Sequence, residues 1–482
     1  MAEPCDLSAV EARRAIGARE LSPVELLDSC LARIEATNGA VNAMVAVDAD
    51  AARKRSREAE AAIGRGEDVG LLAGLPIGVK DLQPTAGLRT TFGSLLFKDH
   101  VPPADEDVVA RVRRAGGVIL GKTNTPEFGA GANTVNRVYG ATGNPFDPAR
   151  TCGGSSGGSA VSLALGQVPL ATGSDYGGSL RTPAAFCGVS GFRPSPGLVP
   201  APDRAVSLNP FGVAGPMGRS IADAHLLLRA QAAVDAAAGR ADPFAPSAVA
   251  PLPVELAPAD LGALRVAVST DLGCAPVDHA IAATFMERLA GFRHVFRDVE
   301  ERAPDFSGVH DTFEVLRGLN FVAAHRERLE KARDLLDRNV VDNTERGLQL
   351  SLADVARAHV EQTRLYKRVL AFFREVDVLI CPAASVSPFP HAQPFVEAIN
   401  GERMPTYMRW LAITYAPTTA LCCAAAIPCG LDHAGTPFGL QVMGPNGADA
   451  RVLQVAHALE EVLAADPTTA RPVPPLAGRG KL

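Results

Sequence analysis

The chain has 482 residues, of which 47% are apolar and 21% are charged, and its formal net charge at neutral pH is −6. This balance is typical of a folded globular protein and excludes a chain that is disordered along its length. The slight excess of acidic residues argues against nucleic-acid binding, which needs clustered lysines and arginines to neutralise phosphates.

The N-terminal region is predicted to be helical. Ser8 with Glu11, and Ser22 with Glu25, each place a hydroxyl and a carboxylate three residues apart, which is the pattern of a capping box at a helix start. Pro23 occupies the first position of the second helix, where its missing N–H costs nothing. The first six residues are acidic and lack the apolar stretch of an export signal, so we expect a cytoplasmic protein.

An α/β pattern begins near residue 75. Residues 75–81 and 118–120 are predicted to be buried strands, and residues 105–115 are predicted to form a helix between them. A strand, a helix and a second strand in this order indicate a βαβ unit and a mixed or parallel sheet. Further regular structure is predicted in the second half, with strands at 264–269, 376–381 and 438–443 and helices starting at Ser220 and spanning 448–463.

The whole chain, residues 1–482, is predicted to form a single domain. A helical N-terminal region covers about residues 1–70, and a variable insert covers about residues 232–375. The first part of this insert, residues 232–263, is rich in Ala and Pro and is typical of a surface excursion or linker. Its later part, from about residue 305 to residue 375, is predicted to be helical.

Two long uncharged stretches, residues 151–174 and 411–430, are predicted to be buried core. Glycines and serines interrupt the first and prolines and threonines the second, so neither is a continuous apolar span of ~20 residues. The nine cysteines are scattered without a C-x-x-C pair. This distribution indicates buried thiols in a reducing compartment rather than disulfides or a zinc site.

Two motifs match known expressions without the structural context that those motifs need. Residues 116–123 match the P-loop expression, but a predicted helix precedes them and their middle residues are strand-like. We therefore interpret them as a helix-to-strand turn that leaves Lys122 at the surface or behind the site. Residues 153–157 match the nucleophile elbow, but no apolar strand precedes them. The ten histidines show no metal-ligand spacing, so we expect neither a metal nor a cofactor.

Three further segments carry a more specific signal when they are taken together. Residues 78–81 read Gly-Val-Lys-Asp, residues 153–159 read Gly-Gly-Ser-Ser-Gly-Gly-Ser, and residues 173–181 read Gly-Ser-Asp-Tyr-Gly-Gly-Ser-Leu-Arg. This combination resembles the amidase signature family of serine hydrolases. The resemblance extends along almost the whole chain, with further landmarks at residues 121–124, 181–188, 215–217 and 439–441. It implies the fold of that family, an α/β architecture with a mixed, largely parallel central sheet flanked by helices.

The resemblance also implies a catalytic triad. Ser179 would be the nucleophile, Ser155 a bridging serine with a cis peptide bond, and Lys80 the base. The chemistry agrees, because a serine hydroxyl attacks well only when a neighbour takes its proton. Burial can lower the pKa of a lysine from ~10.4 by several units and so provide the neutral amine. Lys122 is the rival base, although Asn124 and Pro126 indicate that the chain leaves the core there.

The loop before the nucleophile supplies the candidate oxyanion hole. Its glycines let the backbone approach a substrate, so that N–H groups can point at a carbonyl oxygen. The predicted donors are the backbone N–H groups of Tyr176, Gly177, Gly178 and Ser179. Ser156, Asp175 and Arg181 are expected to hold this loop from behind. The candidate pocket segments are residues 128–133, residues 232–263 and residues 404–415 with Trp410.

The predicted function is hydrolysis of a carboxylic amide C–N bond through an acyl-enzyme intermediate. One alternative is the glutaminase-type subunit of an amidotransferase, which would work with a partner protein. Another is an esterase or urethanase that uses the same triad, and a nucleotide-binding P-loop protein is the rival from a different class. The expected partner is a small amide, without nucleic acid or membrane, and a homodimer is left open.

Overall fold

The computed structural model describes residues 3–202, 204, 206–232, 242–245 and 252–478. Its strands, in chain order, are β1 (Met44–Val47), β2 (Pro76–Lys80), β3 (Val118–Thr123), β4 (Val135–Asn136), β5 (Gly140–Ala141), β6 (Leu170–Asp175), β7 (Ser190–Arg193), β8 (Val213–Gly218), β9 (Arg265–Val268), β10 (Asp298–Glu301), β11 (Val378–Pro382), β12 (Ala398–Ile399), β13 (Glu402–Arg403), β14 (Cys423–Leu431) and β15 (Pro437–Gly444).

The α-helices of the described residues are α1 (Ala9–Gly17), α2 (Pro23–Val41), α3 (Ala49–Gly64), α4 (Asp107–Arg114), α5 (Gly157–Ala164), α6 (Arg181–Cys187), α7 (Ile221–Gln231), α8 (His279–Phe292), α9 (Val309–Ala332), α10 (Arg338–Leu348), α11 (Leu352–Phe372), α12 (Ala412–Thr419) and α13 (Asp449–Ala464). None of the helices described is both long enough and apolar enough to cross a membrane.

Eleven of the described strands form one mixed sheet in the order β1-β3-β2-β6-β8-β7-β14-β15-β11-β9-β10. Parallel pairing occurs in two blocks, β3-β2-β6 and β11-β9-β10. Antiparallel pairs through β8, β7, β14 and β15 join the two blocks, and β1 closes one edge antiparallel to β3. The predicted α/β architecture, a central mixed sheet flanked by helices, is confirmed.

The predicted helix starts in the N-terminal region are confirmed. Ser8 caps α1 and Ser22 caps α2, and in each case the glutamate three residues later returns a carboxylate to the backbone N–H of the cap. Pro23 is the first residue of α2. The cap groups therefore satisfy N–H donors that would otherwise lack a partner at these two helix ends.

The P-loop interpretation is excluded by the local structure. The predicted helix before it is α4, and the residues that would form a flexible phosphate-binding loop are strand β3. Lys122 belongs to this strand and is fully buried, as are Asn124 and Thr125. Of the two positions expected for Lys122, the surface is excluded, because β3 pairs with β2 on one side and β1 on the other and stays inside the core.

The two long uncharged stretches lie in the core as predicted. Every residue in 151–173 and every residue in 411–430 except Leu421 is buried. The predicted helical part of the insert consists of α9, α10 and α11. Residues 233–241 and 246–251 of its Ala/Pro-rich part lie outside the described residues. The division of the chain into a helical N-terminal region, a body and an insert stays a prediction.

The sheet brings the motif segments together at one edge. Strands β2 and β6 are parallel neighbours, and all five residues of β2 are buried. Lys80 is the last residue of β2 and Asp175 the last residue of β6. Since the carboxyl ends of parallel neighbours meet at the same edge of a sheet, the loops that follow them share one crevice. Helices α5 and α6 begin in that crevice.

Candidate active site

The side-chain nitrogen of Lys80 lies among three serine hydroxyls. Its Nζ is 2.8 Å from Ser155 Oγ, 2.8 Å from Ser156 Oγ and 3.0 Å from Ser174 Oγ. The side chain is fully buried. Three neutral hydroxyls can solvate either protonation state of the amine, because each hydroxyl can donate or accept.

Burial lowers the pKa of Lys80 to about 7, and the negative charge of Asp175 opposes this shift only in part. A large fraction of Lys80 is therefore neutral near physiological pH. In that state the nitrogen has a lone pair that can accept a proton from one serine while its remaining hydrogens are donated to the others. The predicted lowering of the Lys80 pKa by burial agrees with the geometry.

Ser155 follows the cis peptide bond that the resemblance implies, which lies at Gly154–Ser155. Its Oγ contacts Lys80 on one side and faces a cavity on the other. Gly129 lies directly against it, since a Cβ at this glycine would be 3.3 Å from Ser155 Oγ. The absence of a side chain at Gly129 therefore leaves room beside the hydroxyl.

Ser179 and Ser155 line the same cavity of about 310 Å³, together with Ser174 and Tyr176. Leu82, Phe128 and Val213 provide apolar parts of its wall. Within the described residues, Ser179 Oγ makes no hydrogen bond, so the link from Ser179 to Ser155 is not closed in this structure. Catalytic hydrogen bonds are often long before a substrate binds and tighten in the complex.

The carboxylate of Asp175 anchors the loop that carries Ser179. Its carboxylate accepts two bonds from Arg181, at 3.0 Å each, and one from Arg193 at 3.1 Å. All three side chains are fully buried. Burial alone would raise the pKa of Asp175, but the two guanidinium groups outweigh it and hold that pKa well below its usual range. Asp175 is therefore a permanent anion that organises the loop.

Arg181 extends this network into two other elements. Its Nη1 donates to the carbonyl of Thr414 and to Gln441 Oε1, and its Nη2 donates to Thr418 Oγ1. Helix α12 and strand β15 are thus tied to the residue two positions after the nucleophile. The bonds of Asp175 to Arg181 and to the loop backbone fit the role expected for both residues, which stays a prediction. Ser156 lies closer than predicted, because its hydroxyl contacts Lys80 itself.

One of the four candidate oxyanion-hole donors already donates a hydrogen bond within the protein. The N–H of Gly178 donates to Asp175 Oδ1 at 2.9 Å, and the N–H of Leu180 donates to Oδ2 at 3.2 Å. Tyr176, Gly177 and Ser179 are the remaining predicted donors. Gly178 has φ +121°, and a Cβ there would lie 2.2 Å from Thr414 Oγ1, so this position requires glycine.

Lys122, the rival base, faces away from the serines. Its Nζ donates to the carbonyl of Gln83 and to Thr85 Oγ1, the second at 2.8 Å. Burial lowers its pKa to about 8, and the nearby Asp81 carboxylate opposes the shift. The two buried lysines are therefore alike in environment but only Lys80 is in contact with Ser155.

Two residues of the site were missed by sequence reasoning. The sequence assigns no role to Ser174, yet its hydroxyl is the third partner of Lys80. Its place on β6 opposite β2 could have indicated this contact. Arg193 carried no sequence signal, because it comes from β7, which reaches Asp175 only through the fold.

The predicted pocket segments contribute unequally. Phe128 and Gly129 line the cavity, whereas Trp410 is buried in the core and does not face it. The side chain of Phe128 also contacts the His325 ring at 4.7 Å between centroids, which connects the cavity wall to α9. Trp410 therefore belongs to the core rather than to the wall of this cavity.

Within the described chain, one group of side chains has the spacing of a metal site: Glu3, Cys5 and Asp6. Arg33 already occupies its centre, with Nη2 at 2.8 Å from Glu3 and 3.0 Å from Asp6. This group lies in the first residues that the structure describes, and we interpret it as an ion-pair cluster.

The chain is similar to known amidases in sequence and in fold. A family model described as Amidase matches residues 25–453. The chain is 32% identical to an acylamidase of Rhodococcus erythropolis over 458 residues, which are 95% of each chain. It is 34% identical to the A subunit of the glutamyl-tRNA(Gln) amidotransferase of Anaeromyxobacter sp. (strain K), covering 98% of this chain and 99% of that one. The crystal structure of a bacterial aryl acylamidase superposes with a TM-score of 0.88 at 27% identity, covering 96% of both chains.

Proposed function

This chain belongs to the amidase signature family and is an amidase, and we propose that it cleaves its substrate with Ser179 as nucleophile, Ser155 as proton bridge and Lys80 as base. The observation that carries the assignment is the contact of the buried Lys80 amine with Ser155, in a cavity that Ser179 also lines. Hydrolysis of a carboxylic amide C–N bond is the activity of the chain, and the roles of the three residues are the proposal.

In the first step, Ser179 Oγ attacks the amide carbon. Its proton passes to Ser155 Oγ as the proton of Ser155 passes to the neutral Lys80 amine. The negative charge that forms on the carbonyl oxygen is stabilised by the N–H groups of Tyr176, Gly177 and Ser179. One donor of this kind can contribute ~2.7–4 kcal/mol to lowering the barrier.

The second step returns the proton to the leaving nitrogen. Lys80 is then an ammonium in a buried site, so it is a stronger acid than an exposed lysine. It protonates the departing amine or ammonia through Ser155, and the Ser179 ester remains. A water then takes the place of the amine, the same relay removes its proton, and the carboxylic acid is released with Ser179 restored.

The loop anchors supply rigidity for both steps. Asp175 is fixed by Arg181 and Arg193 and in turn accepts N–H bonds on either side of Ser179, from Gly178 and Leu180. A loop held in this way needs no rearrangement when charge develops on the substrate. This argument supports Asp175 and Arg181 as positioning residues.

A second candidate function is that of a glutaminase-type subunit that passes ammonia to a partner protein. The observation in its favour is the 34% identity to the amidotransferase chain, which spans almost the full length of both proteins. The TM-score of 0.88 to the aryl acylamidase supports a free-standing amidase as the first choice. Ester or carbamate hydrolysis with the same triad, a homodimer and a cytoplasmic location stay predictions.

The test is a product-release assay on anilides, primary aliphatic amides, carbamates, esters and glutamine, with Ser179→Ala measured beside the unmodified chain. We expect turnover of one amide class that falls by about 10³-fold or more in Ser179→Ala, with unchanged circular dichroism. Full turnover in Ser179→Ala would overturn the nucleophile assignment. Glutamine as the preferred substrate, together with a co-purifying protein, would favour the glutaminase hypothesis.

A further inference from the structure

Arg317 differs from the other buried arginines. Arg33, Arg111, Arg181 and Arg193 each have a carboxylate within 4 Å. Arg317 is only 5% exposed, and no described carboxylate pairs with it. A buried charge without an opposite charge is costly, so a cation of this kind indicates a missing anionic partner.

The polar contacts of Arg317 are with neutral groups. Its Nε donates to Asn343 Oδ1 at 3.1 Å, and its Nη2 donates to Tyr407 Oη at 2.7 Å. The guanidinium also lies over the rings of Phe321 and Tyr176, at 4.6 and 5.6 Å from their centroids. Its third nitrogen, Nη1, makes no hydrogen bond within the described residues. These contacts hold the guanidinium in one orientation without neutralising it.

Arg317 lines a cavity of about 340 Å³ between α9, α10 and residues 406–408. Val315, Leu350 and Met408 provide an apolar wall. A pocket that combines an apolar wall with an oriented, buried cation has the character of a site for a small amphipathic ligand. This cavity and the one that holds Ser179 have no lining residue in common.

The acidic residues around this cavity do not replace the missing partner. Glu314 is paired with Arg409 at 3.3 Å, and Asp354 is paired with Arg357 at 2.7 Å. Asp311 and Asp342 also line the cavity, where Asp311 is exposed and Asp342 half-buried. Their charges would repel a second carboxylate on a ligand, so the site favours one anionic group.

We propose that Arg317 binds the carboxylate of a small organic monocarboxylate whose apolar part fills the cavity between α9 and α10. The carboxylate accepts from Nη1, and the hydrocarbon contacts Val315, Leu350 and Met408. Two lining residues of this cavity contact the loop that carries Ser179. Met408 Cε lies 3.6 Å from where a Cβ at Gly177 would be, and the guanidinium of Arg317 stacks on the ring of Tyr176. The bound acid therefore contacts Arg317 and Met408, which lie against Tyr176 and Gly177.

The experiment is isothermal titration of the full chain carrying Ser179→Ala with hexanoate, with its neutral isostere hexanamide and with the dicarboxylate adipate. We expect hexanoate to bind more tightly than either of the other two. Arg317→Met should weaken hexanoate binding by at least about tenfold, while Arg346→Gln, a second arginine at the same cavity, should leave it nearly unchanged.

Arg317→Lys keeps the charge and serves where Arg317→Met does not fold. It should retain weaker hexanoate binding, because an ammonium cannot reproduce the oriented guanidinium. Equal binding of hexanoate by Arg317→Met and the parent chain would overturn the proposal. So would an absence of hexanoate binding in a folded parent chain.

Discussion

Lys80 Nζ and Ser155 Oγ are 2.8 Å apart although their residues are separated by 75 positions in the chain. One atom comes from the end of strand β2, and the other follows the cis bond before helix α5. This contact joins an amine with a lowered pKa to a hydroxyl that opens onto the cavity of Ser179. The predictions below concern this contact and the groups that hold it.

Lys80 and Lys122 form a matched pair for identifying the base. Both are fully buried and both have a lowered pKa, but only Lys80 contacts a serine of the proposed triad. We expect Lys80→Met to lower kcat by about 10³-fold or more and Lys122→Met to keep kcat within about tenfold. Steady-state kinetics on the amide found by the panel measures both. A larger loss in Lys122→Met than in Lys80→Met would reverse the assignment.

The pH dependence of turnover should follow Lys80. Because the base must be neutral to accept a proton and its pKa is about 7, kcat/KM should rise about tenfold per pH unit below that value and level off above it. The measurement is a kcat/KM profile between pH 5 and 9. Lys122→Met should show the same inflection. An inflection that moves in Lys122→Met would assign it to the other lysine.

The free energy of unfolding should also depend on pH through Lys80. An unfolded Lys80 binds a proton up to its ordinary pKa of ~10.4, whereas the folded one does so only below about 7. The free energy of unfolding of the unmodified chain therefore gains ~1.4 kcal/mol per pH unit from this group between those two values. Lys80→Met lacks this gain. Relative to the unmodified chain, it should be most stable below pH 7 and lose that advantage as the pH rises, as urea denaturation at pH 6 and pH 9 would measure. A pH-independent difference would contradict the lowered pKa.

Asp175→Asn should destabilise the chain strongly. The substitution leaves the buried Arg181 and Arg193 without their carboxylate, and breaking such a pair costs about 3–5 kcal/mol. Asp28→Asn is the control, since its ion pair with Arg53 is half exposed and should contribute at most about 1 kcal/mol. Denaturant unfolding of both variants measures the difference. Equal effects of the two substitutions would show that the buried pair does not stabilise the loop.

Gly178→Ala tests the need for glycine before the nucleophile. The new methyl group would overlap Thr414 Oγ1, and φ +121° is strained for alanine, so we expect kcat to fall by at least about 10²-fold. Gly291→Ala is the control, because a Cβ there meets no atom within 4 Å. It should leave kcat unchanged. Normal turnover in Gly178→Ala would mean that the loop rearranges freely.

Much of the local structure could be predicted without the fold. The capping boxes at Ser8 and Ser22 depend on contacts within four residues, and the buried strand that ends at Lys80 is visible as an apolar run that stops at a charge. Lys122 shows the limit of such reasoning. Its neighbours Asn124 and Pro126 are typical of an exposed turn, yet pairing of β3 with two strands buries this segment.

The class of chemistry follows from the sequence alone, because its Lys, Ser and Gly-Gly-Ser segments resemble those of the amidase signature family whatever their distance in space. Which of these groups meet depends on the tertiary structure. Ser174 reaches Lys80, Arg193 reaches Asp175, and Arg317 is left without a carboxylate only because strands and helices far apart in the chain pack together. Hydrogen bonds and ion pairs act over about 3–4 Å, so they depend on packing that residue spacing does not encode.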